Sequence, residues 1–287
     1  MFQYHPIPRH ILQSNLSPFL SQKKKKMTEP TMSLKTLQGK VAIVTGGASG
    51  IGEGTAHLFA QHGARAVVIA DVQDEKGRLV AEVIGLDRCS YYHCDVADEK
   101  QVKAMVDWTV QTFGQLDIMF SNAGIASSSD QLLLDLDFSQ FDRLFAINVR
   151  GMTACVKHAA RVMVELRVRG SIVCTASVAG SRGGNKLTDY VMSKHAVIAL
   201  VRSASQQLGQ HGIRVNSVSP FGVATPLTCA MLGKEEEEVE KEYEGCTPLK
   251  GIVLKVKHVA DAVLFLVSDE SGFISGHDMV IDGGFLA

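Results

Sequence analysis

From Gly39 onward, short apolar runs alternate with amphipathic stretches. The first run, "KVAIVT", is β-branched with no polar residue at alternate positions, the pattern of a strand buried on both faces. "GIGEGTAHLFAQHG" then carries apolar residues at helical spacing, with Gly63 as its stop. The pair of patterns recurs: strand "AVVIAD" and helix "DEKGRLVAEVIG", strand "CSYYHCD" and helix "DEKQVKAMVDWTVQTFG", then strand "LDIMFSNAG". The spacing predicts one long helix through "FDRLFAINVRGMTACVKHAARVMVEL", then strand "GSIVCTAS", helix "DYVMSKHAVIALVRSASQQLGQHG" and strand "IRVNSVSP". An acidic helical stretch, the helix "HVADAVLFLVSD" and the strand-like "HDMVIDGG" complete the order. Such alternation implies a parallel sheet covered by helices on both faces, doubly wound by right-handed crossovers. No internal repeat and no linker interrupts it, so 37–287 is expected to be a single α/β domain.

Composition narrows the function classes. The chain has 287 residues, 46% hydrophobic and 21% charged, with a net charge of −1. A nucleic-acid binder would concentrate positive charge, and a membrane span needs an apolar run of roughly 18 residues; the sequence shows neither. Its six cysteines have no CxxC or zinc-site spacing, so they read as thiols in a reducing compartment such as the cytoplasm. Residues 1–36 differ from the rest: there is no acidic residue before Glu29 and there is a lysine run at 23–26. Two readings stand for them, a disordered leader and a transit segment directed to a plastid or mitochondrion.

The chemistry begins at "TGGASGIG", which ends the first strand and opens the first helix. Gly46, Gly50 and Gly52 permit a tight turn and a close backbone approach, and the helix N-terminus offers free N–H groups to a pyrophosphate. Asp71 ends the second strand. A carboxylate there can bind both ribose hydroxyls of an adenosine and repel a 2′-phosphate, which favours NAD over NADP; the alternative is a simple helix cap. Tyr190 and Lys194 lie four apart on a predicted helix and share a face. An ammonium beside a tyrosine favours the phenolate and makes the residue a usable base near neutral pH, although the same pair also occurs as plain surface residues. Ser177, at a strand end, is placed to hold a substrate oxygen.

Taken in order, these motifs resemble those of the short-chain dehydrogenase/reductase family over Lys40 to Ala287. "TGGASGIG" matches the family's cofactor loop, bringing Ser49 and Ile51 to the cofactor with the glycines. "CDV" matches the adenine-site motif through Asp95 and Val96. "SNAG" matches "NNAG" at Asn122, Ala123 and Gly124, with Ser121 replacing the first Asn. Asn148 matches the catalytic-helix asparagine, and Ser177, Tyr190 and Lys194 match the catalytic triad. "SPFGVATPL" matches the segment around the nicotinamide through Pro220, Val223 and Thr225. Phe221 stands there where many members have Gly. The resemblance implies a single-domain Rossmann fold with a doubly wound parallel seven-stranded sheet, NAD as cofactor, no metal, and a homotetramer built on the long helix and the C-terminal strand. It implies that Tyr190 is the acid–base, that Lys194 lowers its pKa and binds the nicotinamide ribose, that Ser177 positions the reacting oxygen, and that Asn148 holds a relay water.

Ile125, Ser127, Val178, Leu187, Tyr190, Phe221, Leu227 and Met231 are expected to line the substrate pocket, together with Ser177. They are mostly apolar and include no Arg or Lys for a carboxylate or phosphate, which suits a small hydrophobic alcohol or ketone. "ARAVVIAD", "YYHCDV" and "CTASVAG" resemble the family's plant secondary-metabolite branch, and "DWTVQTFG" and "GHDMVIDGG" its monoterpenoid members. The resemblance implies oxidation of a monoterpenol such as borneol. Nepetalactol-type dehydrogenases or cyclases and lignan or diterpenoid dehydrogenases are the alternatives. "LGKEEEEVEKEYEGC" is expected to lie over the pocket with its acidic face to water.

Overall fold

The structure is a computed structural model that describes residues 36–287. The expected leader lies outside these residues except for Thr36. The strands are β1 (Val41–Thr45), β2 (Ala66–Asp71), β3 (Cys89–His93), β4 (Ile118–Ser121), β5 (Ser171–Thr175), β6 (Arg214–Pro220) and β7 (Asp278–Ile281). They form one seven-stranded parallel sheet in the order β3-β2-β1-β4-β5-β6-β7. The helices are α1 (Gly50–Gln61), α2 (Asp74–Ile84), α3 (Glu99–Phe113), α4 (Phe138–Phe145), α5 (Met152–Glu165), α6 (Thr188–Leu208), α7 (Pro226–Leu232), α8 (Glu236–Glu244) and α9 (Val256–Val267).

Strand side chains alternate between two cores. Ile43, Val68, Met119, Ile172 and Val215 face Met105 of α3, Met163 of α5 and Val201 of α6. Val44, Ile69, Phe120 and Val173, each one residue on, and Val218 of β6 face Phe59 of α1 and Val263 of α9. Burial on both faces explains the unbroken apolar runs. Strand order reverses between β1 and β4, which opens a crevice at their carboxyl ends.

Three differences from the sequence expectation matter. First, several strands stop short of their motif residues: β3 ends before Asp95, β4 before Asn122 and β5 before Ser177. Those residues leave the ladder and face the crevice. Second, the long helix holds a π-helical turn at Ala146–Gly151 between α4 and α5, and Asn148 sits in that turn. Such turns frequently mark functional sites. Third, "TPLTCAML" forms α7, with Thr225 as its N-cap and Pro226 in its first turn, a pattern that favours helix initiation.

Candidate active site

A cavity of about 470 Å³ occupies the crevice. Its wall includes Gly46, Ser49, Gly50 and Ile51 from the glycine loop, Asp71 at the end of β2, and Asp95 and Val96 beyond β3. Asn122, Ala123, Gly124 and Ile125 follow from β4, and Pro220, Val223 and Thr225 from the β6–α7 segment. Ser177, Val178, Leu187, Tyr190, Lys194, Phe221, Leu227 and Met231 line the other end. Gly52, Asn148 and Ser127 stand behind the wall rather than in it.

Gly52 acts by leaving room. A Cβ there would lie 2.1 Å from the Gly46 carbonyl oxygen, so only glycine lets α1 start against the loop. The loop is held from both strands that flank β1: Asn122 N, after β4, donates to Thr45 Oγ1 at 2.9 Å, and Ala48 N donates to Asp71 Oδ2, at the end of β2, at 3.0 Å. Asp71 Oδ1 accepts from Gln73 N at 3.0 Å, next to the start of α2. The carboxylate is thus both a loop anchor and a local cap, and it still lines the cavity. The tight loop, the helix N-terminus and an acidic group beside them together fit a dinucleotide.

At the opposite end, Tyr190 is half-buried on the first turn of α6. Burial holds its phenol above the ordinary value. The Ser177 hydroxyl opposes that shift and the Tyr243 phenol adds to it. Lys194 Nζ lies 5.4 Å from the centre of the Tyr190 ring and donates to the Thr175 carbonyl at 2.9 Å. Its side chain is buried, which pulls its ammonium down to about 8.

The Asn148 side chain is fully buried and clamps a loop. Its Oδ1 accepts from Ile125 N at 2.8 Å and its Nδ2 donates to Ile125 O at 2.8 Å. The point a Cβ on Gly124 would occupy lies 3.3 Å from Asn148 Oδ1 and 3.8 Å from Lys194 Nζ. A side chain at Gly124 would therefore crowd the Asn148 amide.

Ser127 does not line the cavity; it is buried and bonded to Asp189. Tyr243 is a pocket residue that the sequence reading missed. It lies on α8, one helical turn after the fully buried Val239, while Glu236, Glu237 and Glu238 face water. The acidic face points outward as expected, and the i, i+4 spacing of Val239 and Tyr243 was the available signal. The Phe221 and Tyr243 rings meet with centroids 5.3 Å apart, and Phe285 packs on Phe221 at 4.4 Å. Among the described residues, no helix is long and apolar enough to cross a membrane.

A family model described as enoyl-(acyl carrier protein) reductase matches residues 46–286. The chain is 60% identical over 252 residues to (−)-isopiperitenol/(−)-carveol dehydrogenase, mitochondrial, of Mentha piperita, covering 88% of this chain and 95% of that one. It is 61% identical over 255 residues to a (+)-cis,trans-nepetalactol synthase of Nepeta racemosa, with coverage of 88% and 95%. The crystal structure of a short-chain type dehydrogenase/reductase from Mycobacterium marinum superposes with a TM-score of 0.80 at 34% identity, covering 88% of this chain and 98% of that one.

Proposed function

The chain belongs to the short-chain dehydrogenase/reductase family, and from that premise we propose that it oxidises a small apolar secondary alcohol, a monoterpenol such as borneol, to its ketone with NAD. One observation carries this reading. A single cavity joins an acidic end at Asp71 to an apolar end where Ser177 and Tyr190 stand among Val178, Leu187, Phe221 and Met231. The likeness to a monoterpenol dehydrogenase supports the substrate class.

When bound, a nicotinamide dinucleotide supplies the hydride acceptor and, in its oxidised form, a positive ring. The chain's own residues do the rest. Ser177 holds the alcohol oxygen, and Tyr190 takes its proton as general base, or returns it to a ketone as general acid. Tyr190 starts from a raised pKa, so it needs positive charge nearby to form the phenolate. Lys194, whose Nζ lies 5.4 Å from the centre of the Tyr190 ring, supplies part of that charge. Asn148, buried beside Gly124 near Lys194, is assigned the relay water by the family resemblance. Asp71, with both oxygens already oriented by Ala48 and Gln73, is set to receive ribose hydroxyls. The glycine loop and the α1 N-terminus would hold the pyrophosphate, Asp95 and Val96 the adenine, and Thr225 the carboxamide.

A second reading, a nepetalactol-type dehydrogenase or cyclase, is favoured by the 61% identity to a nepetalactol synthase. Formation of NADH from borneol enantiomers, isopiperitenol, nepetalactol and a lignan diol separates the dehydrogenase readings; a cyclase, which makes no net redox change, would form none and is read from its cyclised product. Turnover of a terpenol supports the first, nepetalactol alone the second, and turnover only of steroids or sugars overturns both. A homotetramer belongs to the same proposal. A depression between α5 and α6 lined by Val164, Leu200 and Leu208 supports it, and a monomer in light scattering would count against it. The free cysteines, four of them buried, support a reducing compartment.

A further inference from the structure

The backbone of Tyr190 is gripped at both ends. Its N–H donates to Asp189 Oδ1 at 2.7 Å, and its carbonyl accepts from Ser193 Oγ at 2.8 Å. Both grips lead back to the loop after β4. Ser193 Oγ accepts from Asn148 Nδ2 at 3.3 Å, and Asn148 in turn clamps Ile125. Two residues beyond Ile125, the Ser127 hydroxyl donates to Asp189 Oδ2. The loop is tied to α6 once more where Thr188 N donates to the Gln131 carbonyl at 3.1 Å.

Asp189 is fully buried, a costly place for a carboxylate. Its partners compensate it: the Ser127 hydroxyl, the Tyr190 N–H, and the N-terminal end of α6, where the helix dipole favours negative charge. The residue before the helix, Leu187, has φ 57°, the left-handed region that side chains other than glycine seldom adopt. The first turn of α6 therefore begins from a backbone conformation that the surroundings must enforce. Neither Ser127 nor Asp189 lines the cavity.

We propose that the buried Ser127–Asp189 pair positions Tyr190, fixing the first turn of α6 so that the phenol stands in reach of Ser177 and of a bound alcohol. The proposal rests on the reading of Tyr190 as the acid–base. A misplacement of about 1 Å at reacting atoms can cost on the order of a hundredfold in rate, so a remote hydrogen bond can matter this much.

The test compares wild type, Ser127→Ala, Asp189→Ala and the double variant. Steady-state oxidation is measured with an alcohol that wild type turns over, cyclohexanol included. Each single variant is expected to lower kcat about tenfold or more, as loss of a buried charge-assisted hydrogen bond allows. The NAD dissociation constant should stay within about twofold. The double variant should fall no further than the worse single one, because the residues act as a unit. Wild-type kcat in Ser127→Ala, loss of NAD affinity in step with kcat, or losses that multiply in the double variant would each overturn the proposal. Hydrogen exchange of the cofactor-free protein needs no substrate. In Ser127→Ala, faster exchange is expected in 188–194 as well as in 125–131, and unchanged exchange in 188–194 overturns the proposal. A wild type inactive on every alcohol would sink the proposed function, and the exchange result would still decide this inference.

Discussion

The amide of Ala48 donates to Asp71 Oδ2 at 3.0 Å, so the carboxylate that ends β2 also ties down the glycine loop after β1. The groups expected at the pyrophosphate and at the adenosine ribose are thereby linked through one side chain.

Asp71→Ala should weaken NAD binding about tenfold or more and narrow the preference for NAD over NADP, since the variant loses both the ribose acceptor and the charge that repels a 2′-phosphate. It should also lower stability by about 1–3 kcal/mol through the unpaired Ala48 N–H. Dissociation constants for both cofactors and urea unfolding check this. An unchanged NAD constant would detach Asp71 from the cofactor.

Gly222→Ala probes the wall between the late loop and α8. A Cβ at Gly222 would lie 2.3 Å from the Tyr243 ring, so that ring must move. The expected outcome is a KM for the alcohol raised about tenfold, with NAD affinity within about threefold. An unchanged alcohol KM would show that Tyr243 does not bound the substrate.

Lys194 carries a cost in stability that depends on pH. Burial lowers its pKa from 10.5 to about 8 in the folded chain. Between those values the unfolded chain holds a proton that the folded chain has released, so stability from this group rises with pH across that window. Below pH 8 the buried ammonium costs about 3 kcal/mol at most. Lys194→Met should therefore be more stable than wild type at pH 7 while losing activity, and the gap should narrow toward pH 10. Urea unfolding at several pH values checks it. A gap independent of pH would contradict the account.

The sheet and the identity of the wall residues were legible because they follow from local pattern. Apolar runs mark strands buried twice, and the glycine loop, Asp71, Tyr190 and Lys194 sit where strand ends and helix starts put them. Tyr243 was hidden because α8 reads as an acidic surface helix whose only apolar or aromatic residues are Val239 and Tyr243. The π-helical turn at Asn148 breaks no apolar period that a sequence shows. Ser127 was assigned to the pocket from its place after Gly124, but the loop turns it toward Asp189, a long-range pairing that no spacing encodes. The α7 helix was masked by its role in the motif, although Thr225 and Pro226 form an ordinary helix start.

The role of Tyr190 is tested by NADH formation in wild type and Tyr190→Phe with the best terpenol, beside NAD binding to both. Turnover by wild type, a loss of about a thousandfold or more in Tyr190→Phe, and NAD affinity unchanged within about threefold are expected. A Tyr190→Phe variant that keeps the wild-type rate would contradict that role.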